Sequence, residues 1–369
     1  QNDEPKRYQR LAKLQTGKMN TIDTGLDGVP VCTSDISLTA LGADGNPVLM
    51  YRGYSIYDLI KGSFEESVYL ILTGDLPSKN QLADFAKLLG GHSSLDAPVI
   101  AHMREYPRHV HMMDFLLTTL SYARMFDEDY NNTLWQTPRM DDQHADLILN
   151  AGLRLGAKIP TILAGGYRIL NNLPMTPPDP ALSYAANFLN MLGVKRDDDI
   201  LSALNTVLIL YLDHTINCST FTSLVAESAM TDPYGPLLAA GVSLKGVRHG
   251  GANELAADMF AEIGKPENAA AYIRDKLKNK EIVFGFGHRL QNYKHKIESR
   301  VRIAEQLGRP LAMKKGMGHY FEIYDIICDV MSREKDRTPN ADLPIAIVLK
   351  TIGLPESLNT PLFQASRHF

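Results

Sequence analysis

From residue 60 onward, segment after segment of this chain spaces its apolar residues as a helix does, and only one stretch before it alternates as a strand does. Ser63-Phe64-Glu65-Glu66 has the form of a capping box, in which the Ser oxygen and the Glu carboxylate each take up a free backbone N–H. Phe64, Val68, Ile71 and Leu72 follow on one face, and Gly74 supplies a stop. Comparable patterns predict helices over 79–90, 112–125, 143–156, 181–192, 197–211, 217–230, 253–263, 267–278, 296–307, 318–333 and 342–353. Prolines at 160, 174–180, 233 and 355 are expected to separate several of them. The strand signal lies in 29–56, where Val29, Val31, Leu38, Val48 and Leu49 flank the turn Ala43-Asp44-Gly45-Asn46-Pro47, predicting a short β-hairpin. Val207 to Leu212 is apolar on all sides, as expected of a helix buried between others. The sequence has no fixed-period repeat, low-complexity tract or flexible linker. The expected class is all-α, with one N-terminal β-hairpin.

Composition narrows the function classes. In 369 residues, 44% are apolar and 22% charged, ordinary values for a chain with a large core. Lys and Arg number 38 against 42 Asp and Glu, a balance that argues against coating nucleic acid or an anionic membrane. The 207–212 run is far too short to span a bilayer. Three cysteines, Cys32, Cys218 and Cys328, stand far apart without a C-x-x-C, so neither a disulfide scaffold nor a zinc module is expected. An intracellular, reducing compartment (mitochondrial matrix, peroxisome or cytoplasm) is the simpler expectation. The chain begins at Gln1 rather than Met, which is compatible with a removed targeting segment.

Three of the eleven histidines stand in unusual company. His214 lies in Leu212-Asp213-His214-Thr215-Ile216-Asn217, His249 in Arg248-His249-Gly250-Gly251-Ala252-Asn253-Glu254, and His288 in Gly285-Phe286-Gly287-His288-Arg289. Neighbouring glycines remove side-chain bulk and let a ligand approach the imidazole closely. A helix opening at Asn253-Glu254 aims a positive dipole end at His249, which holds the imidazole neutral and fit to donate to a developing oxyanion. Asn217, Ser219 and Thr220 read as the start of a helix after His214. From spacing alone, Gly-rich turns capped by histidine explain these surroundings as well as catalysis does. There is no G-x-S-x-G, H-E-x-x-H or Walker loop, and Gly285-Phe286-Gly287 lacks the third glycine of a dinucleotide fingerprint.

Taken together, His249-Gly-Gly-Ala-Asn-Glu254, Gly285-Phe-Gly-His288-Arg289 and Asn340-Ala-Asp342 resemble the three active-site signatures of the citrate synthases. Gly25-Leu-Asp-Gly-Val29, Tyr51-Arg-Gly-Tyr-Ser-Ile56, Leu72-Thr-Gly-Asp-Leu-Pro77, Ala157-Lys-Ile-Pro-Thr161 and Ala186-Asn-Phe-Leu189 extend the resemblance in the right order. It implies a two-domain helical homodimer, with a large domain over 1–250 plus 353–369 and a small one over 251–352. The implied reaction is a Claisen-type condensation of an acyl-CoA, acetyl-CoA by default and propionyl-CoA or a longer acyl-CoA otherwise, with oxaloacetate. CoA enters as a thioester substrate; no permanent cofactor and no metal are implied. By the same resemblance Asp342 is the base that removes the α-proton, His249 donates to the thioester oxygen and His288 polarises the oxaloacetate carbonyl. His214, Asn217 and Arg367 fix oxaloacetate, and Gly285, Phe286 and Gly287 lie near the CoA adenine. A non-catalytic member that binds CoA or dicarboxylates is the alternative.

Three departures from the family pattern stand out. After His288 the family reaches an Asp-Pro-Arg whose arginine binds an oxaloacetate carboxylate; here the chain reads Leu290-Gln-Asn-Tyr-Lys-His-Lys296-Ile297. Lys296 is the cation nearest in register if one residue is missing, though lysine offers no bidentate fork; loop residues absent from this sequence would also explain the departure. Leu343 follows Asp342 where an aromatic is common, a change that either widens the acyl pocket or is simply tolerated. The chain also stops at Phe369, short of the family's tail and its arginine for the partner subunit, implying a trimmed chain or weaker oxaloacetate binding.

Overall fold

The structure, a computed structural model, describes Cys32 and residues 34–137, 141–287 and 296–369. The expected hairpin is present and carries a short third strand: β1 (Ser37–Leu41) pairs antiparallel with β2 (Pro47–Tyr51), and β2 with β3 (Tyr54–Ser55). Asp44 shapes the turn by accepting the Asn46 N–H at 3.0 Å. Val29 and Val31 lie outside the described residues.

Helices follow in the order α1 (Ile56–Leu59), α2 (Phe64–Thr73), α3 (Lys79–Gly91), α4 (Ala97–Met103), α5 (Met112–Ala123), α6 (Asp142–Leu170), α7 (Tyr184–Leu192) and α8 (Asp198–Tyr211). Then come α9 (Cys218–Glu227), α10 (Tyr234–Leu244), α11 (Gly251–Ile263), α12 (Pro266–Lys278), α13 (Ser299–Lys314), α14 (His319–Lys335), α15 (Asp342–Thr351) and α16 (Asn359–Arg367). Ser63 caps α2 by accepting the Glu66 N–H, and Gly74 ends it in the left-handed region at φ 91°. The reciprocal box forms instead at Ser78 and Gln81, because Glu66 lays its carboxylate against Gly62.

Two expectations need correcting. Pro160 is no joint: α6 runs straight through it. An internal proline leaves the carbonyl four residues earlier without its helical donor, and here that carbonyl, Gly156 O, accepts from the Tyr184 hydroxyl at 3.2 Å. In addition, α4, α10 and α16 were not anticipated. The first is seven residues long, and α10 is apolar on nearly every face, so neither offers a stripe to count. By length and composition α6 could cross a membrane, but 67% of its most apolar window is buried inside the protein.

Two apolar cores organise the molecule. The larger one surrounds α8, where Val207 to Tyr211 are each 0% exposed, as the all-round apolar run predicted. The second, built on Phe260, Ile273, Ile327 and Leu343, lies wholly within residues 256–347. The site sits where elements of both cores meet.

Candidate active site

His249 ends the loop before α11, and its own N–H is tied to Gly246 O at 2.8 Å. Its Nε2 receives the Ser219 backbone N–H at 3.3 Å and lies 2.6 Å from Ser219 Oγ. A backbone N–H can only donate, so Nε2 is the acceptor and the neutral ring carries its proton on Nδ1. Burial, aided by the positive charge of Arg367, lowers the His249 pKa to about 4. The expected neutral imidazole is therefore present, held so by desolvation and a nearby guanidinium beyond the helix dipole invoked from sequence. Asn217, expected to contact substrate, also has a folding role. Its Oδ1 accepts the N–H groups of Ser219 and Thr220 and caps α9, which sets the amide that faces His249.

Asp342 is the first residue of α15, and Asn340 Oδ1 accepts its N–H at 3.1 Å. Burial pushes its pKa up to about 6, with Arg300 and Arg367 pulling down and Glu298 pushing up. The glycine loop is strapped to the same segment. Asn340 donates its N–H to Gly285 O at 2.9 Å and its Nδ2 to Gly287 O at 3.3 Å, while Phe286 bridges Pro339. Gly285 has φ +82°, and a Cβ there would meet Leu343 Cβ at 2.7 Å, so both its conformation and its space demand glycine. Leu343 is fully buried against that loop in the second core, so it packs rather than opens space beside Asp342. His288 lies outside the described residues; its neighbour Gly287 is placed beside the Asp342 segment.

Three further groups are coupled to these two: the Arg367 charge acts on both His249 and Asp342, and Arg300 and Glu298, the latter beside His214, act on Asp342. His214 precedes Thr215, a β-branched residue at φ +58°, a conformation costing on the order of 1–3 kcal/mol. Ser37 Oγ holds that strained residue by accepting its N–H at 2.9 Å. His214 Nε2 is 3.5 Å from Glu298 Oε2, and Glu298 is clasped by Arg300 through Nε and Nη2 at 2.8–3.2 Å. Burial alone would push the Glu298 carboxyl up, but Arg300 and His214 outweigh it and hold it at about 2. Arg367 closes α16, donates Nε to Tyr211 O at 3.0 Å and lies over the Phe363 ring.

Arg300 is the residue that sequence reasoning missed. Four residues beyond Lys296, this buried guanidinium has a field that reaches Asp342, Tyr211 and Arg367. Among the described contacts Lys296 offers only its carbonyl, to Thr338 Oγ1. Glu298-Ser299-Arg300 keeps the acid–small–arginine order of the missing Asp-Pro-Arg further along the chain, and that was the available signal. The hairpin positions this stretch: Ser299 Oγ accepts the Leu49 N–H, Asn46 Oδ1 accepts the Ile297 N–H, and Asp44 pairs with Arg302. Among the described residues no group of His, Cys, Asp and Glu is arranged to hold a metal ion.

Residues 25–369 match the family model described as citrate synthase, C-terminal domain. The chain is 35% identical over 350 residues to "Citrate synthase 2" of Bacillus subtilis, covering 94% of this chain and 89% of that protein. It is 36% identical over 326 residues to "2-methylcitrate synthase 2" of Corynebacterium glutamicum, covering 86% and 82%. Among solved structures it resembles citrate synthase from Thermotoga maritima, with TM-score 0.79 and 28% identity over 94% of this chain and 89% of that one. It also resembles the Thermoplasma acidophilum citrate synthase ternary complex with carboxymethyl coenzyme A and oxaloacetate, with TM-score 0.82 and 28% identity over 95% and 90%. An all-α fold with one small sheet, a neutral histidine and a buried aspartate reached by three separate signatures, and this likeness over nearly the whole length agree that the chain belongs to the citrate synthase family.

Proposed function

We propose that the protein condenses an acyl-CoA with oxaloacetate, acetyl-CoA being the default donor, and then hydrolyses the thioester of the product to release free CoA. The reading rests above all on one pairing within reach of the Arg367 charge: a carboxylate base of raised pKa, Asp342, and an imidazole whose proton is fixed on Nδ1, His249. The α-C–H of a thioester is a very weak acid, so a carboxylate alone is mismatched to it. Asp342 takes the proton while His249 Nδ1–H donates to the thioester oxygen as it becomes an enolate, an interaction worth about 3–4 kcal/mol in comparable oxyanion sites. The enolate carbon then bonds to the oxaloacetate carbonyl carbon, whose oxygen takes up a proton; His288 is assigned to polarise that carbonyl. Arg300, Arg367 and His214 hold the dianion, and Gly285, Phe286 and Gly287 are assigned to CoA. Water then cleaves the thioester.

Propionyl-CoA is the second reading, because relatives named as 2-methylcitrate synthases are as similar as those named as citrate synthases. Residues 251–352 form the proposed small domain, a reading supported by the separate second core. A second copy of the chain is the proposed partner. Leu149, Leu224, Val225 and Val242 are exposed around α6, α9 and α10, beside an apolar cavity of about 580 Å³. Cys32, Cys218 and Cys328 are unpaired, which fits a reducing compartment.

Release of free thiol from a panel of acyl-CoAs with oxaloacetate tests the reading. Turnover is expected to rise through an acidic limb near pH 6, as Asp342 loses its proton, and to fall about 10²-fold or more in Asp342→Ala. No turnover with any donor hands the site to the binding-protein reading.

A further inference from the structure

We infer that Asn253, braced by Tyr211, is the positioning residue for Asp342, fixing the base relative to both His249 and Arg367; the inference rests on the condensation reading above. Asn253 lies on α11 one turn past His249 and is 0% exposed. Its Nδ2 carries two hydrogens and reaches two acceptors on different helices: the Asp342 carbonyl on α15 at 3.0 Å, and the hydroxyl of Tyr211, the last residue of α8, at 3.3 Å. With both hydrogens committed, the amide cannot rotate without losing a bond. The Asp342 carbonyl only accepts, so the nitrogen must face it, and Oδ1 is left buried without a hydrogen-bond partner. An orphaned buried acceptor is unfavourable, so an apolar side chain would serve mere packing better. The two donated bonds are what the amide supplies.

The brace is itself immobile. Tyr211 is 0% exposed and stacked on Phe363 with ring centroids 3.5 Å apart, and its carbonyl receives Arg367 Nε. Tyr211 belongs to the larger core and α11 to the second, whereas α15 contributes to both. One carboxamide thus sets the base in register with the oxyanion donor, which precedes its own helix, and with the clamp that follows Phe363.

The groups facing Asp342 are Arg300 and Glu298 at the start of α13, Arg367 on α16, Tyr211 on α8 and Asn253 itself. Removing the Asn253 donor removes one interaction that favours ionised Asp342, while burial and Glu298 continue to oppose ionisation. In Asn253→Ala, kcat is expected to fall about 10-fold or more with KM for oxaloacetate within about 2-fold, and the acidic limb to move to higher pH. The isosteric Asn253→Asp adds a carboxylate beside the base and is expected to move the limb further in the same direction. Tyr211→Phe, which keeps the ring stack, is expected to give a smaller shift of the same sign and covers the case in which the Asn253 variants do not fold. A limb that stays in place in whichever of these variants folds, or a rise in oxaloacetate KM with kcat unchanged, overturns the positioning role. Absence of turnover in the unsubstituted protein would instead overturn the condensation reading.

Discussion

At the residue scale, the groups that sequence exposed are those whose chemistry needs unusual neighbours. His249 and Asp342 stood beside glycines and asparagines that folding explains as well as catalysis does, and it was the three signatures together that pointed to chemistry. Arg300 stood in an ordinary Glu-Ser-Arg, and only the fold shows that this stretch turns inward, buried on all sides. Asn217 shows the converse ambiguity, since a side chain able to touch a ligand is equally able to cap a helix. The two cations make contrary predictions. Arg300→Lys keeps the charge but loses the planar fork, so KM for oxaloacetate is expected to rise about 10-fold or more in steady-state kinetics. Lys296→Ala is expected to leave it within about 2-fold. The reverse pattern would return the clamp to Lys296.

At the element scale, periodicity located most helices because their stripes face one of two cores, and it failed where a helix has no stripe or where a side chain repairs a break. The repair at Pro160 is the clearest case. Sequence shows the proline, but not that Tyr184, more than twenty residues later, brings a hydroxyl whose single hydrogen is shared between Ala365 O at 2.6 Å and Gly156 O at 3.2 Å. Tyr184→Phe removes the one hydrogen that these two carbonyls share and is expected to lower stability by about 1–3 kcal/mol in denaturant unfolding. An unchanged midpoint would show that α6 tolerates Pro160 without help. The small sheet likewise looked like an isolated hairpin in sequence. In the fold it grips the Ile297–Arg302 stretch and, through Ser37 and Tyr51, the loop carrying His214.

At the scale of the whole molecule, fold class was legible because helical punctuation dominates the chain, whereas the boundary between its two cores was not. The second core borrows no compositional signature; Ile345 and Val348 of α15 even belong to the larger core while Ala346 and Ile347 belong to the second. Successive faces of one helix thus serve two cores, and no break in the sequence marks the border. The exposed apolar side chains on α6, α9 and α10 make their own prediction: sedimentation equilibrium at micromolar concentration should give twice the chain mass, and charged substitutions at Val225 and Val242 should lower it. A single-chain mass in the unsubstituted protein would refute the proposed pairing.

The tautomer of His249 depends on a main-chain group, and that changes what sequence divergence at position 219 can do. Serine, alanine or asparagine there would all present the same amide, so the imidazole's proton stays put whichever side chain drifts in. Proline alone removes that donor, and the first turn of a helix is the part that accepts proline most readily. At this buried position, whose hydroxyl also touches the imidazole, proline is therefore barred for a reason unrelated to folding.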